Sequence, residues 1–303
     1  MNKKIISFKM ISFLILLFIS FNLSFPESTK EFSFAFLTDI HLQPERQAFQ
    51  GYKKAIQAVN MINPDFVITG GDLIMDALGK SYERADSLYN LYIEANKEFN
   101  MPVYNTIGNH DVFGLYNISS INPSHPEYYK KMYKERLGKT YYSFDYNGWH
   151  FMVLDSIGRT VGREYIGWVE AEQMDWIEED LQKVEQKTPI VISTHIPLIS
   201  VVTQINRGST YKNPDNWVIV NSKEVLDLYE GYNLKLVLQG HLHVLEEIRI
   251  NNITFITGGA VSGNWWKGSY YGVEEGFLII KIKDDQFDYE YIDYGWKVQE
   301  KIK

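Results

Sequence analysis

Histidine, aspartate and asparagine side chains recur along this chain in five short motifs. The motifs are Asp39-Ile40-His41, Gly71-Asp72, Gly108-Asn109-His110-Asp111, a single His195, and Gly240-His241-Leu242-His243. Carboxylate oxygens, amide oxygens and neutral imidazole nitrogens are the atoms that hold divalent cations in sites without thiolates. Two such cations side by side suit the hydrolysis of a phosphate ester. The motif series therefore indicates a two-metal hydrolase.

An apolar strand is predicted directly before each of these motifs. The predicted strands cover residues 31–37, 65–69, 102–107, 190–194 and 234–238. In the first of them Phe32, Phe34 and Phe36 alternate with smaller residues, which is the period of a strand. Open α/β sheets place their sites at the carboxyl ends of strands. The motifs are therefore expected to meet at one edge of the fold.

The remaining sequence predicts helices outside two packed sheets. Helical spacing covers residues 48–61, 82–99 and 171–185, and Asn147-Gly148 predicts a hairpin turn. After His243 the chain is predicted to form successive strands at 247–250, 253–257, 277–283 and 287–294, with turns at Asn251-Asn252 and Asp284-Asp285. The prediction is one α/β domain over residues 26–303, with two mixed sheets packed face to face.

The spacing within the motifs indicates which side chains share a cation. Asp39 and His41 are two residues apart, so on an extended segment both point the same way. His241 and His243 have the same spacing, although a turn there would send them to different cations. Asp72 can bridge two cations, because a carboxylate offers two oxygens.

The ordered series D-x-H, G-D, G-N-H-D, H and G-H-x-H over residues 39–243 resembles the calcineurin-like metallophosphoesterase superfamily. The resemblance implies a four-layer α/β/β/α sandwich of two mixed sheets. It implies one cation held by Asp39, His41, Asp72 and His243, and a second held by Asp72, Asn109, His195 and His241. The ligand types permit Mn, Fe, Zn, Co or Ni.

The chemistry that follows is attack on phosphorus by a metal-bridging hydroxide, since two cations lower the pKa of a shared water molecule. By the family pattern His110 follows the Asn109 ligand without binding metal, which predicts that it protonates the leaving oxygen as general acid. Asp111 is expected to accept a hydrogen bond from the other ring nitrogen of His110. The expected substrate is a small phosphoric ester, either a monoester or a diester. The alternative is a non-catalytic metal-binding scaffold or surface binding protein of the same fold.

Composition excludes several other classes. The net charge of −8 argues against general nucleic-acid binding, which needs clustered cations. The chain has no cysteine, which excludes disulfides, thiolate ligands and cysteine nucleophiles.

The N-terminus predicts export. Residues 1–25 combine an early basic pair with an apolar run, which predicts a signal peptide or, alternatively, an uncleaved membrane anchor. The protein is therefore expected outside the cytoplasm, with membrane contact only through this segment. The motifs also resemble those of cyclic-nucleotide phosphodiesterases, but an exported enzyme would rarely meet an intracellular messenger. Scavenged extracellular esters are the expected substrates.

Two segments are candidates for substrate contact. Trp265, Trp266 and Lys267 follow a glycine-rich stretch, where a tryptophan could stack on a planar group and the lysine could meet phosphate. The alternative is that the tryptophans pack the edge of the sandwich. Residues 199–217 are either a lid that brings Arg207 to phosphate or a solvated loop.

Overall fold

The computed structural model describes residues 30–298. The predicted signal or anchor, residues 1–25, lies outside this range. The described strands are β1 (Glu31–Leu37), β2 (Phe66–Thr69), β3 (Val103–Tyr104), β4 (Tyr142–Tyr146), β5 (Trp149–Val153), β6 (Ile157–Arg159), β7 (Tyr165–Gly167), β8 (Pro189–Ser193), β9 (Asn233–Gln239), β10 (Leu245–Ile250), β11 (Ile253–Gly258), β12 (Gly276–Lys283) and β13 (Gln286–Asp293). The helices are α1 (Ala48–Ile62), α2 (Tyr82–Asn96), α3 (Lys131–Leu137), α4 (Ala171–Leu181), α5 (Val202–Arg207) and α6 (Ser222–Asp227).

The strands form two mixed sheets and a short ribbon. The first sheet has the order β13-β12-β1-β2-β3, and the second has the order β10-β11-β9-β8-β5-β4. Strands β1, β2 and β3 are parallel, as are β5, β8, β9 and β11. The antiparallel strands β12 and β13 form one side of the first sheet, and β10 and β4 form the two edges of the second. Among the described strands β6 pairs only with β7. The strands that precede the five motifs are thus parallel ones, four of them inside the sheets and β3 at the edge of the first sheet.

Aromatic rings fill the space between the two sheets. Phe32, Phe34 and Phe36 point to the same side of β1, as their alternation predicts, and all three are buried. The ring of Phe34 stacks on Phe66 at 5.0 Å and meets Phe151 of the second sheet edge-on at 5.5 Å. These ring contacts pack the two sheets against each other.

Helices cover the outer faces of both sheets. Ala35 and Val67, on the other face of the first sheet, belong to a second apolar cluster that includes Tyr52 of α1 and Leu88 of α2. The same cluster includes Ile192 of the second sheet and, on α4, the buried residues Ile177 and Leu181. The predicted fold of two packed mixed sheets with helices outside is confirmed.

The three turns that were predicted from asparagine, aspartate and glycine residues are confirmed. Asn147-Gly148, Asn251-Asn252 and Asp284-Asp285 each join antiparallel strands as predicted. The predicted strand 102–107 is too long, because the Thr69 hydroxyl accepts the N–H of Thr106 in place of a strand partner. The β6–β7 ribbon was not predicted, since each of its strands has only three residues. Within residues 30–298, no helix is both long and apolar enough to cross a membrane.

Candidate metal centre

The motif residues lie where the parallel strands end, in backbone conformations that few residues adopt. Five of the seven predicted ligands have a positive φ: Asp39 (55°), His41 (47°), Asp72 (51°), His241 (71°) and His243 (56°). The expected extended geometry is therefore wrong for Asp39 and His41. The chain turns sharply there because its N–H groups bond to the neighbouring strand end, from Asp39 N to Gly71 O and from His41 N to Asp72 O. Aspartate and histidine tolerate this left-handed region better than branched residues.

Two motif glycines allow the strand ends to approach each other closely. A Cβ atom on Gly108 would lie 2.1 Å from the backbone nitrogen of Asp72. On Gly240 it would lie 2.0 Å from Thr38 Oγ1 and 2.7 Å from Asp39 Oδ2. No side chain fits at those distances, so glycine at both positions is required by packing.

One group of ligating atoms surrounds the end of β1. His243 Nε2 lies 3.2 Å from Asp39 Oδ1 and 3.0 Å from His41 Nε2. His41 Nε2 lies 3.6 Å from Asp72 Oδ2. All four side chains are buried.

A second group lies on the other side of Asp72. His195 Nε2 is 3.2 Å from Asp72 Oδ2, 3.1 Å from Asn109 Oδ1 and 3.2 Å from His241 Nδ1. His241 and His243 therefore face different groups, as the turn alternative predicts. The structure brings together all seven side chains proposed from the sequence.

Backbone carbonyls fix which nitrogen each imidazole presents to its group. Gly70 O accepts from His195 Nδ1 at 2.8 Å, Gly263 O from His243 Nδ1 at 2.6 Å, and Asn216 O from His241 Nε2 at 2.8 Å. The opposite nitrogens, Nε2 of His195 and His243 and Nδ1 of His241, point into the cluster, and each offers a lone pair to a metal when its ring is neutral. Such outer hydrogen bonds orient histidine ligands of metals.

The donor set fits divalent cations. Buried imidazole nitrogens and two carboxylates approach one another at about 3–4 Å, as in the 3.0 Å contact between His41 Nε2 and His243 Nε2, where one ring donates a proton to the other. Three overlapping groups, each within 4.8 Å, contain the possible ligand atoms: Asp39, His41 and His243; His41, Asp72 and His110; Asp72, His195 and His241. A cation would take the place of the protons that these nitrogens and carboxylates share, because neutral imidazole and carboxylate are ligands of divalent metals.

The charges of the cluster are strongly coupled. Although burial opposes it, attraction to His195 and His110 holds the pKa of Asp72 well below its ordinary value. Burial likewise disfavours a charged His195, but the Asp72 carboxylate outweighs it and raises the pKa of His195 to about 9. Burial, and after it repulsion by His195, lowers the pKa of His241 to about 4. Burial also lowers the pKa of His41.

His110 lies at the mouth of the cluster, but Asp111 does not accept a hydrogen bond from its ring as expected. Both Asp111 oxygens accept backbone N–H groups, Oδ1 from Leu73 and Ile74 and Oδ2 from Gly108. The expected hydrogen bond from His110 to Asp111 is therefore not formed. Asp111 holds together the two loops that carry Asp72 and Asn109.

Asp76 is the carboxylate that faces the second ring nitrogen of His110, at ion-pair distance and without a hydrogen bond. Its Oδ1 atom lies 3.7 Å from His110 Nδ1, while His110 Nε2 lies 4.0 Å from Asp72 Oδ2. Sequence reasoning missed Asp76, which follows Asp72 after three apolar residues. The signal was a second carboxylate four residues after the proposed bridging ligand.

A cleft of about 190 Å³ opens over the cluster. Its lining combines the histidines with aromatic and apolar side chains: His41, Asp72, His110, Tyr165, Val202, Trp217, His241, Leu242, His243, Trp265, Tyr270 and Tyr271. Among these described lining residues there is no lysine and no arginine.

The four side chains proposed for substrate contact have different positions. Trp265 lines the cleft, with its ring 4.4 Å from that of His243. Trp266 is buried and donates from Nε1 to the carbonyls of Ile40 and His41, so for this residue the packing alternative is correct. Lys267 and Arg207 are exposed and lie outside the cleft lining.

The segment 199–217 contributes to the cleft through other residues than Arg207. Val202 and Trp217 line the cleft, and Asn216 orients His241 through its carbonyl. Arg207 ends α5, with its side chain exposed to solvent. The lid alternative, in which Arg207 contacts phosphate, therefore has no support in the position of this side chain.

Comparison with known proteins agrees with this geometry. The family profile described as calcineurin-like phosphoesterase matches residues 32–245. A 3′,5′-cyclic-nucleotide phosphodiesterase from Nostoc sp. is 28% identical over 222 residues, covering 70% of this chain and 71% of that protein. A probable cyclic nucleotide phosphodiesterase from Xenorhabdus bovienii is 23% identical over 253 residues, covering 77% and 87%.

The fold also matches solved structures. A dimetal phosphatase from Danio rerio superposes with a TM-score of 0.58 at 12% identity, covering 87% of this chain and 99% of that one. This likeness concerns the fold alone. With the family profile spanning well over half of the sequence, the chain belongs to the calcineurin-like phosphoesterase family. It is a metallophosphoesterase.

Metal binding to the cation-free protein is expected to tighten as the pH rises towards about 9. Below that pH His195 carries a proton, because Asp72 raises its pKa, and a metal must displace this proton to reach Nε2. One released proton corresponds to roughly tenfold in affinity per pH unit. Calorimetry of Mn²⁺ binding in buffers of different ionisation enthalpy measures the release. A binding constant that stays the same from about pH 7 to pH 9 contradicts His195 as a ligand.

Proposed function

We propose that this chain is a two-metal phosphodiesterase with His110 as general acid. The observation that carries the preference for diesters is the absence of lysine and arginine among the described residues that line the cleft. A phosphomonoester carries close to two negative charges at neutral pH, because its second pKa is about 6. Arginine and lysine usually neutralise such dianions. A diester keeps one negative charge and needs less compensation.

We assign the ligands to two cations on either side of Asp72. Asp39, His41, Asp72 and His243 would hold one cation. Asp72, Asn109, His195 and His241 would hold the other, and the distances within the two groups support this division. When bound, the two cations would activate water and offset the charge of the phosphate.

His110 serves the leaving oxygen in this proposal. Its Nδ1 atom faces Asp76, so its Nε2 atom is the one free to deliver a proton in the cleft. The carboxylate of Asp76, 3.7 Å from Nδ1, lies where it would stabilise the ring while the ring holds the proton to be donated. Asp111 acts through the backbone, by fixing the loop from Gly108 to His110 against the loop that carries Asp72.

The alcohol part of the substrate meets an aromatic cleft. Tyr165, Trp217, Trp265, Tyr270 and Tyr271 surround the space above the ligands. Nucleotide diesters fit this lining, and the relatives named as cyclic-nucleotide phosphodiesterases support the same class.

Export of the protein through residues 1–25 is part of the proposal and rests on the sequence alone. An exported enzyme would meet extracellular nucleotides. N-terminal sequencing of the exported protein tests it.

The preference for diesters is tested with substrates that share one leaving group. With Mn²⁺ present, kcat/KM for bis(p-nitrophenyl) phosphate is expected to exceed that for p-nitrophenyl phosphate by at least about tenfold, which corresponds to the loss of about 1.4 kcal/mol of charge compensation. Adenosine 3′,5′-cyclic phosphate is included as a nucleotide diester. A preference for the monoester would overturn the proposal.

Replacing His110 by alanine is expected to affect poor leaving groups most. For diesters with an alkoxide leaving group, turnover should fall by ~10²–10⁴-fold, because general acid catalysis supplies a factor of that size. The loss should be smaller for p-nitrophenolate, which leaves without protonation. Lys267→Ala is the control, since Lys267 is exposed and outside the cleft lining. An equal loss for both leaving groups excludes His110 as the acid.

A further inference from the structure

Aromatic rings continue from the metal ligands to the mouth of the cleft. Trp265 packs on His243, and Tyr270 meets Trp265 edge-on at 5.8 Å. Tyr271 follows, with its ring perpendicular to Tyr270 at 4.7 Å. Next to the other ligand group, Tyr165 meets His241 edge-on at 6.0 Å. Tyr271 is the outermost ring of the first series.

Tyr271 occupies the tip of a tight hairpin turn. Tyr270 and Val273 exchange two backbone hydrogen bonds of 2.9 Å, which leaves Tyr271 and Gly272 as the two central residues. Their φ angles are 47° and 77°, so the turn is of type I′. The same chain builds the β4–β5 turn from Asn147 (48°) and Gly148 (84°), the sequence that this turn prefers.

Tyr271 is unfavourable in this position on two independent grounds. A bulky residue at positive φ is a genuine outlier, and such backbone strain is found mainly at binding and catalytic sites. Its side chain is also 64% exposed, although tyrosine is a large and mostly apolar residue. Asparagine would remove the backbone strain and the exposed ring together. A ligand that covers this ring in the cleft would offset both costs.

We propose that Tyr271 stacks on the planar group of the substrate's alcohol, and that it determines specificity for nucleoside esters over simple alkyl esters. Trp265 is less suited to this role, because its ring already packs on His243. Tyr165 has a similar neighbour in Tyr116, whose ring lies parallel to it at 6.4 Å. Tyr271 combines an exposed ring with a place in the cleft lining. This inference rests on the proposed diesterase function.

The test compares two diesters in which the group that stays on phosphorus is either a nucleoside or methyl. Thymidine 5′-(p-nitrophenyl) phosphate and methyl p-nitrophenyl phosphate share the leaving group. Tyr271→Asn is expected to lower kcat/KM for the thymidine ester by about 5- to 100-fold, mainly through KM, because a base–aromatic stack has that value. The methyl ester should be unaffected. Tyr271→Phe should retain the preference, because it keeps the ring.

A stability measurement accompanies the kinetics. Tyr271→Asn should raise Tm by about 1–4 °C, because the turn then has its preferred sequence. Tyr211→Asn is the matched control, since Tyr211 is 55% exposed and lies outside the cleft lining. Its substitution should leave the ratio of the two esters unchanged.

The outcomes separate this inference from the proposed function. If the wild type hydrolyses both esters and Tyr271→Asn keeps their ratio, stacking by Tyr271 is wrong while the diesterase proposal stands. If the wild type hydrolyses neither ester, the diesterase proposal fails. Calorimetry then decides the inference alone: weaker binding of thymidine 5′-phosphate to Tyr271→Asn, with unchanged binding of inorganic phosphate, supports it. Equal weakening for both ligands, or none, overturns it.

Discussion

The carboxylate of Asp72 is the group on which the rest of the site depends. Its Oδ2 atom lies 3.2 Å from His195 Nε2 and 3.6 Å from His41 Nε2, between the two groups of ligands. Its Oδ1 atom accepts the backbone N–H of His110 at 2.8 Å, which fixes the residue proposed as general acid. A single buried carboxylate thus lies between the two groups of possible ligands and also binds the backbone of the proposed proton donor.

Holding Asp72 in this place requires strained backbone at the ends of the strands. Positive φ angles in non-glycine residues cost of the order of 1–3 kcal/mol each, and five presumed ligands have them. The aromatic layer between the sheets supplies a rigid support, with Phe34 in contact with Phe66 and Phe151. A packed core of this kind keeps the strand ends fixed. The loop residues can therefore hold positive φ angles that they would lose in a looser structure.

The fold and the meeting of the seven motif side chains could be predicted from the sequence, because the strands have local, repeated patterns and each motif directly follows a strand. Phe32, Phe34 and Phe36 alternate with the strand period, and β1 has the predicted bounds. The backbone at Asp39 and His41 was not predictable, since it is imposed by hydrogen bonds to Gly71 and Asp72 of the neighbouring strand end.

Other details depend on contacts between residues distant in sequence. Asp111 adjoins His110 in the sequence, yet its oxygens bind backbone N–H groups, and Asp76 faces the ring. Trp266 is adjacent to Trp265 but packs beneath the His41 turn, where Gly51 leaves room for its ring. Neighbouring residues in these two pairs point to different parts of the fold, which spacing alone does not reveal.

The central claim is that Asp72 joins two divalent cations in one site. Anomalous diffraction from crystals of the Mn²⁺-loaded protein tests it most directly, because it locates each ion without reference to activity. The account predicts two peaks on opposite sides of Asp72, one beside His41 and His243 and the other beside His195 and His241. A single peak at full loading, or a pair that Asp72 does not touch, would contradict it.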